Sequence, residues 1–256
     1  MTGSTSELGR NLSKILEDQN HVVITVGRDS YPSYNLEQTI DSSIFSGIDA
    51  IIHLAYDRTS ASVLRANKIN VGGTSLLADT SFTFGIKRFI YVSTESASVN
   101  SKSVYGKTKY DTEIAIQNIP NVVIMRIGTI LGKDPMGPIT KILRYATSKH
   151  KYLLVPKFWD KPKFFFITTH VELRQGILSA LQTNSGPIIS CRLDDRPRSF
   201  HELVLFQSKF LNREDYISKR LIYVPFSLHN SIRILKFVAP LNRQLSRILD
   251  SLKSIC

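Results

Sequence analysis

Four short runs of apolar residues, separated by longer stretches with helical character, constrain the fold of this chain more than any other feature. The apolar runs lie at His21–Val26, Asp49–Ala55, Lys87–Val92 and Asn121–Arg126. The helical stretches lie at Leu8–Asp18, Val63–Phe84 and Tyr105–Asn118. Runs that are apolar on both faces are typical of parallel strands covered by helices. The alternation therefore predicts βαβ units and an α/β fold with a doubly wound parallel sheet.

The pattern changes after about Lys133, where the regular alternation ends. Further helices are predicted at Ile139–Thr147, Val171–Leu181 and Pro197–Phe210, and strand-like runs lie at Tyr152–Pro156 and Phe164–Thr169. Ser199 is the predicted cap of the last of these helices. From Phe226 to Ile255, apolar residues recur at helical spacing with Arg and Lys between them. A docked helix is the favoured interpretation of this tail, and contact with a membrane surface is the less favoured one.

Length and composition limit the class of protein. A chain of 256 residues with 42% apolar residues can bury a core in one or two domains, which excludes a disordered protein. The two cysteines, Cys191 and Cys256, form neither a disulfide framework nor a metal-binding spacing. No apolar run reaches the roughly 20 residues of a membrane span, and no secretory signal opens the sequence, so we expect a cytoplasmic protein.

The chain carries a net charge of +12. Its basic residues are scattered, although they are denser between Lys141 and Lys163 and again after Lys219, and no nucleic-acid-binding motif accompanies them. We therefore interpret the charge as a solvated basic surface suited to a phosphorylated substrate. Nucleic acid is not expected as a partner.

Gly3 and Gly9 bracket a short polar segment at the start of the first predicted helix. Glycines at this spacing permit a tight turn, and the helix N-terminus offers N–H groups and the positive end of its dipole to a pyrophosphate. Ser6 stands where a third glycine is usual, but its small side chain still lets the backbone approach a ligand. We therefore predict that Gly3, Thr5, Ser6, Leu8 and Gly9 are cofactor-binding residues of a dinucleotide site.

Such a loop normally follows a strand at the centre of the sheet, yet only Met1 and Thr2 precede Gly3. We expect either a start codon placed too far downstream or a truncated product. Without that strand, the neighbouring strands lose a hydrogen-bonding partner and the core loses apolar side chains. Such a product is expected to be unstable.

Arg28 follows the His21–Val26 run, where the 2′-position of a dinucleotide is read. An arginine there favours the 2′-phosphate of NADP, whereas a carboxylate favours the ribose hydroxyls of NAD. Asp29 lies directly beside it. Arg28 makes NADP the favoured cofactor, and the carboxylate of Asp29 keeps NAD as the alternative.

Tyr105 and Lys109 lie one turn apart on one face of a predicted helix. A neighbouring cation lowers the pKa of a phenol from its usual value of about 10. Such a pair can move a proton to or from a substrate hydroxyl or carbonyl. This spacing alone is common by chance. It becomes evidence for a catalytic pair because it follows both the phosphate loop and a predicted strand that leads to Thr94.

Taken in order over residues 2–180, these motifs resemble the extended short-chain dehydrogenase/reductase superfamily, and within it the NAD-dependent epimerase/dehydratase group that acts on nucleotide sugars. The matching segments are Thr2–Gly9, Asp49–Ala55, Asn70–Leu77, Lys87–Thr94, Tyr105–Lys109 and Arg126–Gly132. The resemblance implies a Rossmann-type dinucleotide-binding domain at 1–132, to which 162–183 returns. Residues 133–256 would mainly form the substrate-binding part and the C-terminal helices.

The resemblance also implies roles for individual residues. Tyr105 would be the general acid/base, and Lys109 would bind the nicotinamide ribose and lower the Tyr105 pKa. Thr94 would hydrogen-bond the reacting oxygen. Other positions beside the cofactor would be Leu54, Ala55 and Ile127.

Three features depart from the family's pattern. Only ten residues separate Thr94 from Tyr105, Ile127 replaces a proline beside the nicotinamide, and Glu95 is followed by serine where dehydratases usually have an Asp-Glu pair. We therefore expect an NAD(P)-dependent epimerase or reductase of nucleotide-diphosphate sugars, in bacterial surface polysaccharide synthesis, rather than a dehydratase. A homodimer would be in keeping with the superfamily. The alternatives are a non-catalytic dinucleotide-binding regulator or assembly factor, and an inactive fragment.

Overall fold

The computed structural model describes residues 1–29, 33–37, 40–59, 62–101, 103–133, 135–137, 165–183 and 188–211, and the backbone of 153–156 and 221–224. The helices in these ranges are α1 (Glu7–Glu17), α2 (Val63–Ala66), α3 (Gly72–Thr83), α4 (Val104–Ile116), α5 (His170–Gln182) and α6 (Phe200–Phe210). A 3₁₀ turn lies at Ser42–Phe45, and a π turn at Asn67–Val71 joins α2 to α3. The strands are β1 (Ala50–His53), β2 (Arg88–Thr94), β3 (Val122–Ile127), β4 (Thr129–Ile130), β5 (Leu153–Pro156), β6 (Ile167–Thr168), β7 (Ile188–Cys191) and β8 (Leu221–Val224).

A parallel four-stranded sheet in the order β1–β2–β3–β7 forms the centre of the fold. Ile90 of β2 lies between Ile52 of β1 and Val123 of β3. Phe89, Ile90 and Met125 have no exposed surface, as expected for strands covered by helices. The predicted α/β fold with a doubly wound parallel sheet is confirmed. Strand β7 was not predicted, because its apolar core is too short to stand out in the sequence.

The run His21–Val26 is not a strand, contrary to the sequence prediction. Within it only Val26 pairs, through a single parallel bridge to Thr2, and Val22 is 91% exposed. Thr2 forms a second single bridge, to His53, on its other side. Thr2 thus stands between the run and β1, where a strand was expected. One paired residue offers too few backbone groups to hold a ladder on either side.

The chain forms two compact units, which are Met1–Ile127 with Val171–Cys191, and Gly128–His170 with Arg192–Cys256. The sheet and helices α1 to α4 belong to the first unit. The second unit contains two short parallel pairs, β4 with β6 and β5 with β8. Cofactor binding by residues 1–132 and substrate binding mainly by residues 133–256 stay predictions.

Helix α6 of the second unit begins with the predicted cap. Ser199 forms a capping box with Glu202, although the helix begins at Phe200 rather than at Pro197. In the predicted strand Phe164–Thr169, the described residues form β6 at Ile167–Thr168, and Phe165 makes an isolated antiparallel bridge to Arg198.

Two predicted segments, Ile139–Thr147 and Phe226–Ile255, lie outside the described residues. Within the described ranges, no helix is long and apolar enough to cross a membrane.

Candidate active site

The segment from Gly3 to Gly9 makes a tight turn into α1. Gly3 has a φ of +67°, and a Cβ there would lie 2.8 Å from the backbone nitrogen of Ala55. A Cβ on Gly9 would lie 2.5 Å from the Gly3 carbonyl oxygen, so glycine is needed at both positions. The Ser6 hydroxyl accepts a hydrogen bond from the Gly9 N–H at 3.0 Å and donates one of 2.8 Å to the Gly3 carbonyl. Ser6 therefore caps α1, a task that a glycine side chain could not perform.

His53 links the start of this turn to helix α3. Its Nδ1 lies 2.8 Å from the Thr2 hydroxyl, and its Nε2 lies 3.1 Å from the Thr74 hydroxyl. His53 has no exposed surface, and burial lowers its pKa to about 3, so the ring is neutral. The Ala55 N–H also donates to Thr2 Oγ1, at 3.3 Å. His53 is therefore a core histidine whose two ring nitrogens are both paired.

Strand β2 ends at Thr94, which is in direct register with Ile127 at the end of β3. The Thr94 hydroxyl lies 3.1 Å from the Ser96 hydroxyl and accepts a hydrogen bond of 3.3 Å from the Ser96 N–H. The Glu95 N–H donates to the Ile127 carbonyl at 2.9 Å. Two predicted site residues, Thr94 and Ile127, are thus neighbours at the carboxyl edge of the sheet, where ligands bind in open α/β folds.

Helix α4 packs directly against the segment that follows Thr94. Ser103 caps this helix by accepting a hydrogen bond from the Gly106 N–H at 2.9 Å. A Cβ on Gly106 would lie 2.3 Å from Ser101 Oγ and 2.7 Å from the Ser96 carbonyl oxygen. Gly106, next to Tyr105, therefore permits this close approach. The close approach in turn accommodates the short connection of ten residues between Thr94 and Tyr105.

Lys109 is held by one carbonyl and three aromatic rings. Its Nζ donates a hydrogen bond of 2.7 Å to the carbonyl of Val92. The same atom lies 4.4 Å from the ring centre of Tyr91, 5.4 Å from that of Tyr56 and 5.9 Å from that of Tyr105. Distances of up to about 6 Å allow cation–π attraction. Burial lowers the Lys109 pKa to about 7.

The structure does not show the predicted lowering of the Tyr105 pKa by Lys109. Desolvation raises the pKa of Tyr105 to about 12, and the cation that opposes this shift is Arg58. The Lys109 ammonium donates its hydrogen bond to the Val92 carbonyl rather than to the phenol. Tyr105 and Lys109 lie on one face of α4 as predicted, but their electrostatic relationship differs from the prediction.

A buried ion pair, which the sequence did not predict, ties α4 to β2 and β3. The Glu113 side chain is 3% exposed and accepts hydrogen bonds from Arg126 Nε at 2.9 Å and from Arg126 Nη2. The Ser93 hydroxyl donates to the same carboxylate at 2.5 Å. Glu113 follows Lys109 by one helical turn, so a carboxylate at that spacing was the available signal.

The loop after β1 brings another aromatic ring into the site. The ring of Tyr56 meets that of Tyr105 at a centroid distance of 5.0 Å and an interplanar angle of 78°. The Asn70 side chain holds this loop, since its Oδ1 accepts from the Asp57 N–H at 2.7 Å and its Nδ2 donates to the Asp57 carbonyl at 3.1 Å. The contribution of Tyr56 was not predicted, because nothing in its sequence neighbourhood indicates contact with Tyr105.

The remaining predicted cofactor contacts lie at the same edge of the sheet or close to it. Leu54 and Ala55 are half-buried just beyond β1, and a Cβ on the first glycine of the turn would touch both. Leu8 is half-buried in the first turn of α1, and Thr5 is exposed. Arg28 is exposed two residues after the bridge that joins its segment to the start of the turn. Contact with a cofactor stays a prediction for all five residues.

Four features together define a class of protein. They are a parallel sheet, a glycine-bearing turn at its edge, a threonine at the end of β2 and a Tyr–Lys pair on the following helix. The chain belongs to the extended short-chain dehydrogenase/reductase superfamily. Residues 1–162 match the sequence profile of the family described as the RmlD substrate binding domain, and the chain is a member of that family. A comparison with the curated proteins found no match.

Solved structures with the same fold are numerous. UDP-N-acetylglucosamine 4-epimerase from Bacillus cereus has a TM-score of 0.67 and 18% identity, covering 89% of this chain and 85% of its own. A dTDP-4-dehydrorhamnose reductase from Clostridium acetobutylicum has a TM-score of 0.64 and 19% identity, covering 98% of both chains. MoeE5, solved in complex with UDP-glucose and NAD, has a TM-score of 0.66 and 16% identity, covering 88% and 84%. At these identities the likeness concerns the fold.

Proposed function

We propose that this protein is an NAD(P)-dependent epimerase or reductase acting on a nucleotide-diphosphate sugar, with Tyr105 as its general acid/base. The observation that carries the proposal is the close packing of α4 against the segment after Thr94, which Gly106 permits. This packing puts a hydroxyl at the end of β2 and a Tyr–Lys pair at one edge of the sheet. Family membership and the fold shared with nucleotide-sugar enzymes support the same conclusion.

The turn into α1 fits the pyrophosphate of a dinucleotide. A cleft of about 380 Å³ borders the turn and α1, and it is lined by Ser4, Thr5, Arg10, Ser13, Lys14, Glu17 and Thr25. The N-terminus of α1 at this turn presents backbone N–H groups and the positive end of the helix dipole, which favour a phosphate ligand. A bound nicotinamide would supply the group that accepts or donates hydride. The chain would hold it through this turn, Leu54 and Ala55, Ile127 and Lys109.

The protein's own part of the reaction is proton transfer at the substrate oxygen. A Tyr105 pKa of about 12 favours the protonated phenol at neutral pH, which suits a proton donor. In the direction that removes a proton, the phenolate needs a cation nearby. Arg58, whose charge lowers the Tyr105 pKa, and Lys109, whose Nζ lies 5.9 Å from the Tyr105 ring centre, would supply it. The Thr94 hydroxyl would orient the same oxygen by a hydrogen bond.

Arg28 gives the preference for NADP over NAD. It is exposed at the edge of the sheet that carries the turn, where a guanidinium can pair with a 2′-phosphate. Arg28→Ala is expected to weaken NADPH binding by about tenfold or more while leaving NADH nearly unchanged. Fluorescence titration with each cofactor measures both constants, and an equal loss for the two would rule out readout of the 2′-phosphate.

Tyr105→Phe tests the reaction. Nucleotide sugars, beginning with UDP-glucose and UDP-N-acetylglucosamine, are incubated with NADPH or NADH, and products are separated by chromatography. The variant is expected to lose kcat by about 10²- to 10⁴-fold and to retain cofactor binding. The matched control is Tyr110→Phe, a tyrosine on the same helix. Undiminished turnover in Tyr105→Phe would refute the mechanism, and cofactor binding without turnover of any sugar would favour the non-catalytic regulator.

A further inference from the structure

Tyr56 lies in the loop that follows β1, and the backbone on both sides of it is tied down. On one side the Ala55 N–H donates to the Thr2 hydroxyl at 3.3 Å. On the other side the Asn70 side chain bonds both the N–H and the carbonyl of Asp57, at 2.7 and 3.1 Å. Because the backbone of both neighbouring residues is held by hydrogen bonds, the backbone position of Tyr56 is fixed.

The Tyr56 ring contacts both members of the Tyr105–Lys109 pair. The Tyr56 ring meets the Tyr105 ring edge to face, with the two centroids 5.0 Å apart. The Lys109 Nζ lies 5.4 Å from the centre of the Tyr56 ring. Edge-to-face aromatic pairs and cation–π contacts at these distances are both attractive. One ring therefore bridges the phenol and the ammonium on which proton transfer would depend.

Few other contacts fix this pair. Among the described residues, the Tyr105 hydroxyl has no hydrogen-bond partner, and the Tyr56 ring is its aromatic neighbour. In the described part of the chain, the Lys109 side chain makes one hydrogen bond, to the carbonyl of Val92, and its Nζ also lies near tyrosine rings. Tyr56 itself stays a neutral phenol at neutral pH, because burial raises its pKa. The Tyr56 ring is thus in a position to set the orientation of the Tyr105 ring.

We propose that Tyr56 is a positioning residue, whose ring holds the Tyr105 phenol and the Lys109 ammonium in the arrangement that proton transfer requires. The proposal rests on the function proposed above. It assigns the task to the ring rather than to the Tyr56 hydroxyl. Misplacement of a reacting group by about 1 Å can reduce a rate by as much as 100-fold, so loss of the ring should be felt in kcat.

The test compares Tyr56→Leu, which removes the ring, with Tyr56→Phe, which keeps it. Tyr110→Leu is the matched control, since Tyr110 lies on α4 with Lys107 Nζ 5.4 Å from its ring centre. Tyr56→Leu is expected to lower kcat about tenfold or more with KM changed less than about threefold. Tyr56→Phe is expected to recover most of the lost kcat, and Tyr110→Leu to behave as the wild type.

A crystal structure of Tyr56→Leu provides a second measurement that needs no substrate. We expect the Tyr105 ring to rotate and the Lys109 hydrogen bond to Val92 to be lost or lengthened. An unchanged pair, or equal losses of kcat in Tyr56→Leu and Tyr56→Phe, would overturn the proposal. If Tyr105→Phe retains turnover, the proposed function fails instead, so the two failures are distinguishable.

Discussion

The Lys109 ammonium donates a hydrogen bond of 2.7 Å to the backbone carbonyl of Val92, at a point where the lysine side chain is almost fully buried. Burial of an ammonium favours the neutral amine, and the Lys109 pKa falls to about 7. This lysine is therefore only partly charged near neutral pH. Its protonation links the stability of the protein to the charge of the candidate site.

Lys109→Met is expected to raise the free energy of unfolding at pH 6 by roughly 1 kcal/mol or more, because it removes a charge that loses its hydration on folding. The native Lys109 pKa of about 7 lies below the 10.5 of the unfolded chain. Between these values the unfolded chain binds more protons, so the wild-type stability rises with pH and the advantage of the variant shrinks. Urea denaturation at pH 6 and pH 9 measures this difference. An advantage of equal size at both values would contradict the prediction.

Gly106→Ala is expected to destabilise the protein by about 1–3 kcal/mol, because the new Cβ would collide with the Ser96 carbonyl and Ser101 Oγ. Any shift of α4 also moves Tyr105, so turnover should fall more than stability alone explains. The matched control is Gly72→Ala, where a Cβ has open space within 4 Å and the backbone is helical. That variant is expected to be unchanged or more stable by up to about 1 kcal/mol. Equal losses in the two variants, measured by chemical denaturation, would contradict the packing argument.

Sequence periodicity predicted the sheet well where strands are covered on both faces. Asp49–Ala55, Lys87–Val92 and Asn121–Arg126 all contain strands. His21–Val26 is likewise rich in apolar, β-branched residues yet forms a bridge at one residue only, because a strand also needs a partner long enough to satisfy its backbone groups. Apolar composition predicts that a segment is buried, but it does not predict the length of the strand that must pair with it.

The candidate site was predicted in part for a related reason. The spacing of Tyr105 and Lys109 placed both side chains on one face of α4, since helical periodicity is a local property. The direction of the Lys109 ammonium depends on Val92 and Tyr56, which lie 17 and 53 residues away in the sequence. Contacts of that kind are set by tertiary packing, so local spacing could not reveal them.

His53→Phe is expected to lower the free energy of unfolding at neutral pH by about 1–3 kcal/mol, because it leaves the buried Thr2 and Thr74 hydroxyls without their shared partner. The wild-type His53 pKa of about 3 lies below its ordinary 6.5. Its contribution is therefore complete above pH 6.5 and is lost as the pH falls toward 3, where the unfolded chain binds the extra proton. The variant should lose less stability than the wild type between pH 7 and pH 4. A parallel acid dependence in both proteins, followed by thermal unfolding, would be incompatible with a neutral buried ring.

Arg126→Met is expected to destabilise the protein by about 3 kcal/mol, because it leaves the Glu113 carboxylate buried with Ser93 as its remaining partner among the described residues. Replacing Glu113 and Arg126 together by methionine should cost less than the sum of the two single changes. A double-mutant cycle by urea denaturation measures the coupling, expected to be about 2 kcal/mol.

The exposed pair Lys87–Asp49 offers the matched comparison for this cycle. Its atoms are also close, at 2.8 Å, but the two side chains are 76% and 81% exposed. Water already hydrates both charges there, so we expect no measurable coupling. If the buried and exposed pairs couple equally, the Glu113–Arg126 pair is not a desolvated tether between α4 and β3. In that case the position of α4, and with it that of Tyr105, must depend on other contacts of the helix, such as those of Gly106 and Ser103.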